Sequence, residues 1–167
     1  METGGWIIRP AHGRDAEGIA AVLEALVTVG KRNKRSDAAF ALSHYIEHPS
    51  RIQCVVAAAS DGEIVGFQSL KMSLIGNEYG TPPGWAIIGT HVSPKAARRG
   101  IGKALFQATC KAAQASGVPA IEAFVGVANA EGQDYYDAMG FRNYRTVEGA
   151  VCKSIDVLPR PNADIHR

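Results

Sequence analysis

Two stretches carry residue types whose spacing could do chemistry. The first, Arg98-Arg99-Gly100-Ile101-Gly102-Lys103, sets cationic side chains around two glycines. It joins a β-type run, Trp85–Val92, to a helix-type run, Ala104–Ala115, which Ser116-Gly117 stops. A strand that feeds through a basic, glycine-bearing turn into a helix is built to hold an anion. The first helical N–H groups have no intrahelical partner, and the helix dipole adds partial positive charge there. Gly100 and Gly102 remove Cβ atoms that would hold the backbone away from a phosphate. The second stretch, His44-Tyr45-Ile46-Glu47-His48, reproduces the His-x-x-Glu-His string of inverted zinc peptidases. Two histidines four apart share a helix face, but Pro49 turns His48 away from helical geometry. A metallopeptidase through His44, Glu47 and His48 is therefore the remote alternative, and no metal is expected. His44, Tyr45 and His48 read either as a wall that touches substrate or as ordinary surface side chains.

Two phosphate patterns are excluded. The Walker pattern requires Ser or Thr after Gly-Lys, where Ala104 stands, and a glycine five residues before Gly102. The dinucleotide pattern requires a third glycine where Leu105 stands.

The elements around these stretches follow from apolar spacing. Trp6–Arg9 reads as a strand closed by Pro10. Asp15 is placed to cap a helix reaching Val29, with Ile19, Val22, Leu23 and Leu26 at helical spacing and Gly30 after it. The run Lys31-Arg32-Asn33-Lys34-Arg35 is either a solvated turn or a guide for an acidic acceptor. Ser36 or Asp37 can cap a second helix to Glu47. Arg51–Ala59 and Glu63–Ser73 form a hairpin about Asp61-Gly62, and a loop follows over 76–84. Strand 120–128, helix 130–139 closed by Gly140, and a hairpin of 142–148 with 151–158 complete the order.

Length and composition bound the class. The chain has 167 residues, 46% hydrophobic and 20% charged, which fits one globular domain over 1–158 and a tail over 159–167. A net charge of +2 is too small to argue for nucleic acid. Cys54, Cys110 and Cys152 are odd in number and unpatterned, as expected of buried thiols in a reducing compartment. No apolar run has signal-peptide or membrane-spanning length, so a cytoplasmic protein without membrane contact is expected.

The turn resembles the acyl-CoA motif of the GNAT superfamily of N-acetyltransferases, whose pattern is Val-x-Pro followed by Arg/Gln-x-x-Gly-x-Gly/Ala. Val92-Ser93-Pro94 and Arg98 to Gly102 match, with one departure, Ala97 at the Arg/Gln position. A second motif agrees: Asn129, Tyr136 seven residues on, and Gly140-Phe141 beyond it. Together they cover roughly residues 85 to 145. The resemblance implies an α/β fold, a splayed, mostly antiparallel sheet of about seven strands with helices on both faces. It implies acetyl-CoA as cosubstrate, wedged where the fourth and fifth strands part. Thr90 and Val92 would meet the pantetheine and acetyl group, amides of Arg98, Arg99, Gly100, Ile101, Gly102 and Lys103 the pyrophosphate, and Asn129 the pantetheine.

Tyr136 would be the general acid that protonates the departing thiolate. The positions at which relatives carry a base hold Ala86, Ile88 and Phe124, so Glu122, two residues before Phe124 and on its face, is the substitute candidate. His91 alternates with Thr90 and Val92 and should face the other way. The implied activity is direct acetyl transfer, in a ternary complex, to a primary amine. The acceptor is a small amine, an amino-acid-like compound or an antibiotic in preference to a protein, and a homodimer is a possible assembly. An acyl-CoA sensor without turnover is the alternative.

Overall fold

The computed structural model describes residues 5–157. The expected tail and the last residue of the final strand lie outside them. Seven strands form one sheet in the order β1-β2-β3-β4-β5-β7-β6. The strands are β1 (Trp6–Pro10), β2 (Arg51–Ala59), β3 (Ile64–Met72), β4 (Ala86–Val92), β5 (Ala120–Gly126), β6 (Arg142–Val147) and β7 (Ala150–Asp156). All neighbours are antiparallel except β4 and β5. The helices are α1 (Ala16–Thr28), α2 (Ala38–Ala41), α3 (Ile101–Ser116) and α4 (Ala130–Met139). This is the splayed mixed sheet with helices on both faces that the motifs imply.

Alternation along the strands sends side chains to two cores. On one face Ile19, Val22 and Leu23 of α1, with Tyr45 and Ile46, pack on Cys54, Val56, Ala58 and Phe67. On the other, Ile101 and Leu105 of α3 cover Val55, Ala57 and Val65. Farther along that face Phe106, Tyr136 and Phe141 cover Leu70, Ile88, Ile121 and Ala123.

Two expected helix features differ in the structure. Asp15 does precede α1, but its carboxylate makes no cap to that helix. It turns back to accept from Arg9 at 2.9 and 3.0 Å and from the His12 backbone N–H at 2.8 Å. A bidentate, part-buried guanidinium partner outcompetes one exposed helix amide. The second helix is also not continuous. After one turn of α2 the chain widens into a π turn over Leu42–Ile46, closed by the Glu47 N–H on the Leu42 carbonyl at 2.7 Å. The extra residue lets Tyr45 and its neighbour Ile46 both reach the core, 6% and 2% exposed. Such insertions re-aim side chains and recur at functional sites.

Candidate active site

The site begins where the sheet comes apart. β4 pairs with β5 only at Ala86–Ile121, Ile87–Glu122 and Ile88–Ala123. Beyond Ile88 the strands separate, although β4 stays paired to β3 through Val92 and β5 to β7 through Gly126. The edges of Gly89–Val92 and Phe124–Gly126 that face each other therefore carry backbone groups outside any sheet ladder. A half-buried edge of this kind suits a partner that can hydrogen-bond like a strand. An extended chain with amide groups, such as pantetheine, is such a partner.

The basic turn lies just past that opening. Arg98 and Gly100 have φ of +64° and +82°, and α3 starts at Ile101. Left-handed residues alternating with ordinary ones curl successive N–H groups toward one point, which makes an anion nest at the helix start. Gly100 is exposed, and a Cβ built there would meet nothing within 4 Å. Its bareness serves backbone conformation, whereas that of Gly102 serves packing. A Cβ on Gly102 would lie 2.6 Å from Cε1 of Tyr135. Gly102 thus makes room for the Tyr135 ring whether or not its amide also meets a phosphate.

A hydrogen-bonded chain connects this turn to the splay. The Tyr135 hydroxyl donates to the Gly102 carbonyl at 2.7 Å and accepts from Gln68 Nε2 at 3.0 Å. Gln68 also donates to Thr90 Oγ1 at 3.0 Å, and Thr90 shares a 2.8 Å hydrogen bond with the Tyr136 hydroxyl. Tyr136 is 7% exposed, wedged between the rings of Tyr135 and Phe141. Burial raises the hydroxyl pKa of Tyr136 above the ordinary tyrosine value, and Thr90 only partly offsets that. Burial likewise pushes Tyr135 up to about 12. Both are phenols at neutral pH. Gln68 escaped the sequence reading; its one signal is a lone amide in the apolar run Ile64–Leu70. Its Oε1 is buried without a partner.

Asn129 is exposed, and its Oδ1 accepts from the Gly132 N–H at 2.9 Å, capping α4. The cap was not foreseen; it fixes the residue and leaves its amide N–H groups for a ligand.

Glu122 does not have the environment of a base. It is 0% exposed, and its carboxylate accepts from Thr81 Oγ1, from the Tyr144 hydroxyl at 2.5 Å and from Arg145 at 2.7 and 3.1 Å. Arg145 also donates to the Tyr79 carbonyl at 2.8 Å. A proton acceptor needs a lone pair aimed at the amine, and these oxygens are spent. Glu122 instead straps the 73–85 loop to β5 and β6.

His44, Tyr45 and His48 do come together. His44 stacks on Phe40 at 4.5 Å and meets Tyr45 edge-on at 4.7 Å. The Tyr45 ring in turn touches Phe67 and His91, and carries Lys71 Nζ 5.4 Å above it. His44 and His48 lie 6.2 Å apart with their rings nearly perpendicular. Among the described residues no group of three or more His, Cys, Asp or Glu side chains could hold a metal ion. His91 takes the face opposite Thr90, stacked on Phe67 at 4.8 Å. Burial, then the fields of Arg32, Lys34 and His44, lowers it to about 3, so its imidazole is neutral. Lys71 carries no signal in the sequence, because one lysine in a strand reads as solvated.

This geometry agrees with what the chain resembles. Residues 20–141 match the model of the acetyltransferase (GNAT) family. A GCN5-related N-acetyltransferase from Kribbella flavida superposes with a TM-score of 0.76 at 20% identity, covering 93% of this chain and 99% of that one. The yncA protein of Salmonella typhimurium, solved with its cofactor acetyl-CoA, gives 0.71 at 17% identity over 96% and 99%. The PaiA N-acetyltransferase of Thermoplasma acidophilum, in complex with coenzyme A, gives 0.71 at 17% over 93% and 99%. No curated protein matches in sequence. The chain belongs to the acetyltransferase (GNAT) family. It is an N-acetyltransferase with acetyl-CoA as its cosubstrate. No helix among the described residues is long and apolar enough to cross a membrane.

Proposed function

We propose that the protein moves the acetyl group of acetyl-CoA directly to the primary amine of a small molecule, with both substrates bound at once. The observation that carries this reading is the Tyr136 hydroxyl, 2.8 Å from Thr90 Oγ1 beside the opening between β4 and β5. Pantetheine lies along Gly89–Val92, with Thr90 and Val92 at the acetyl end and Asn129 on the pantetheine amides. The pyrophosphate sits in the nest from Arg98 to Lys103. The amine attacks the thioester carbonyl from the Phe67–His91 face. Backbone N–H groups near Thr90 take the charge that grows on the carbonyl oxygen, and shared binding removes much of the entropic barrier.

Tyr136 acts on the leaving group. A thiol has a pKa of about 8.5, below that of a buried phenol, so complete proton transfer from tyrosine to thiolate is uphill. The hydroxyl therefore works by hydrogen bonding to sulfur while negative charge develops, keeping its own proton, and the departing thiolate is left to take any proton from solvent. No side chain of the site takes the ammonium proton. Ala86, Ile88 and Phe124 are apolar, and Glu122 is committed. The amine sheds its proton to water, a handicap of roughly 4 kcal/mol for an alkylamine at neutral pH.

The test is steady-state kinetics on Tyr136→Phe and Tyr135→Phe, read by free thiol and product mass. Tyr136→Phe is expected to lower kcat about 10²–10⁴-fold with acetyl-CoA affinity nearly unchanged. Tyr135→Phe frees the Gly102 carbonyl and is expected to weaken acetyl-CoA while sparing kcat. Unchanged kcat in Tyr136→Phe would make that residue structural. Absence of thiol release with every amine, alongside intact acetyl-CoA binding, would leave an acyl-CoA-binding module.

A further inference from the structure

Lys71 is a half-buried ammonium without an anion. It belongs to β3, where it opposes Ile87 of β4. Alternation puts it on the face of Phe67 and Ser69, the face toward α1 and the π turn. Its neighbour in register, Ile87, pairs with Glu122 across the last closed rungs of the sheet. Gly89, where β4 has left β5, sits diagonally from Lys71, about 7–8 Å away by the geometry of antiparallel pairs. The lysine thus stands beside the place where amine meets thioester.

Among the described residues Lys71 has no hydrogen bond and no carboxylate within ion-pair distance; its one partner is the Tyr45 ring. Of the other basic residues at this corner, Arg32 bonds Ser36 and the Arg35 carbonyl, Arg35 pairs with Asp37, and Lys34 is exposed to solvent. The groups whose fields reach Lys71 are Glu78 and Cys54; Lys71 in turn acts on His44, His48 and Cys54, the last of which also feels Arg51 and Asp15. Burial lowers the lysine to about 8, with Glu78 pulling the other way without closing a pair. Burying a charge costs free energy unless a counter-charge answers it. The ligand is the group left to supply one.

We propose that Lys71 is a specificity-determining residue that binds an anionic group of the acceptor, and that the acceptor is an amine bearing a carboxylate, as in an amino acid. This rests on the transferase reading above and names the substrate class of the same site. The aromatic wall of Phe40, His44 and Tyr45 covers the ligand body on one side, and Tyr79 with Phe124, 5.1 Å apart, on the other. The amine points past Ser69 toward Gly89. The basic run at 31–35 contributes long-range attraction: Arg32 and Lys34 both act on His91, at the floor of this corner.

The test compares matched pairs, each an amino acid and its carboxamide, as acceptors with acetyl-CoA, for wild type, Lys71→Met and Lys71→Arg. Thermal denaturation checks that the variants fold. With kcat/KM expressed per neutral amine, so that the different basicities of the two members cancel, the expected result is a preference of at least tenfold for the carboxylate member. Lys71→Met loses that preference through KM, and Lys71→Arg retains most of it. Equal or better use of the carboxamides overturns the proposal, as does a preference that survives Lys71→Met. A kcat loss shared by both members would assign Lys71 to the chemistry and overturn it too. If no pair is turned over while acetyl-CoA still raises the melting temperature, the substrate class is wrong and cosubstrate binding stands. If that rise is also absent, the transferase reading falls with it.

Discussion

The proposed roles of Lys71 and of water as proton acceptor together set how rate should depend on pH. If water takes the ammonium proton, kcat/KM for a simple primary amine follows the neutral fraction of the amine. It should rise about tenfold per pH unit toward a pKa near 10. Lys71 adds a second dependence for carboxylate-bearing acceptors. Its pKa is lowered to about 8, chiefly by burial, so the charged form is present below that pH and lost above it. His44, His48 and Cys54 do not titrate there: burial holds His44 near 4 and His48 below its usual value, and drives Cys54 up to about 12. Since kcat/KM reports the free enzyme, the two profiles should run together below pH 8 and part above it. The uncharged acceptor keeps climbing, and the carboxylate acceptor levels off as lysine charge and amine protonation are lost together. Parallel profiles to pH 9.5, measured by thiol release, would remove Lys71 from acceptor recognition. A plateau already at pH 7 for both would reveal a base that the site does not display.

Between elements, the packing of α3 against α4 depends on one absent methyl group. Alanine at Gly102 gains helix propensity of about 1 kcal/mol but puts a Cβ 2.6 Å from the Tyr135 ring. Overpacking of this kind costs about 1–3 kcal/mol. Gly102→Ala should therefore lower the melting temperature by several degrees, at about 2–4 °C per kcal/mol for a chain of this size. In a Tyr135→Leu background the same change should be neutral or stabilising, and additivity of the two would refute the clash.

Glu122 is tested in the same register of structure against chemistry. Glu122→Gln keeps a hydrogen-bonding partner for Tyr144 and Arg145 while removing the charge. It should cost stability, up to the 3–5 kcal/mol of a broken buried pair, and leave kcat within about threefold. A large kcat loss in a folded Glu122→Gln protein would restore it as the base.

Local signals explain which of these elements could be read from the sequence. The strand–turn–helix from Ala86 to Ser116 and the span of α4 are written in alternation, glycine placement and helical spacing, all within a few neighbours. The π turn at Leu42–Ile46 is not, because it arises when Tyr45 and Ile46 both need the core, a tertiary demand. Glu122 meets Thr81 and Arg145 across 41 and 23 residues of chain, so its parity on the strand was legible and its partners were not. Gly102 shows the same limit: a glycine that fits an anion motif also makes room for a ring 33 residues away.

At the scale of the whole molecule, the sheet is two half-sheets joined by a short parallel seam. β1 to β4 are one ladder and β5 to β7 another, and Ala86–Ile88 against Ile121–Ala123 is the seam between them. α3 crosses from one half to the other, its Leu105 on β2 and β3 and its Phe106 beside Phe141. A cosubstrate that hydrogen-bonds Gly89–Val92 and fills the gap to Phe124–Gly126 continues the seam with its own backbone-like amides. Acetyl-CoA at a hundredfold its Kd should then stabilise the fold by about 2.7 kcal/mol, or roughly 5–10 °C. The location of the effect is more telling than its size. Amide hydrogen exchange should slow in Gly89–Val92, in the turn from Arg98 to Lys103 and at the α4 cap around Asn129. β1 and β2, far from the seam, should gain only what the higher global stability gives them. CoA lacking the acetyl group should protect the same segments, since pantetheine and pyrophosphate make most of the contacts. Protection confined to α3 without the β4 edge would mean that the phosphate binds and the pantetheine does not enter the splay. In that case the opening between β4 and β5 would not be the acyl-transfer site, and Tyr136 would stand beside an empty seam.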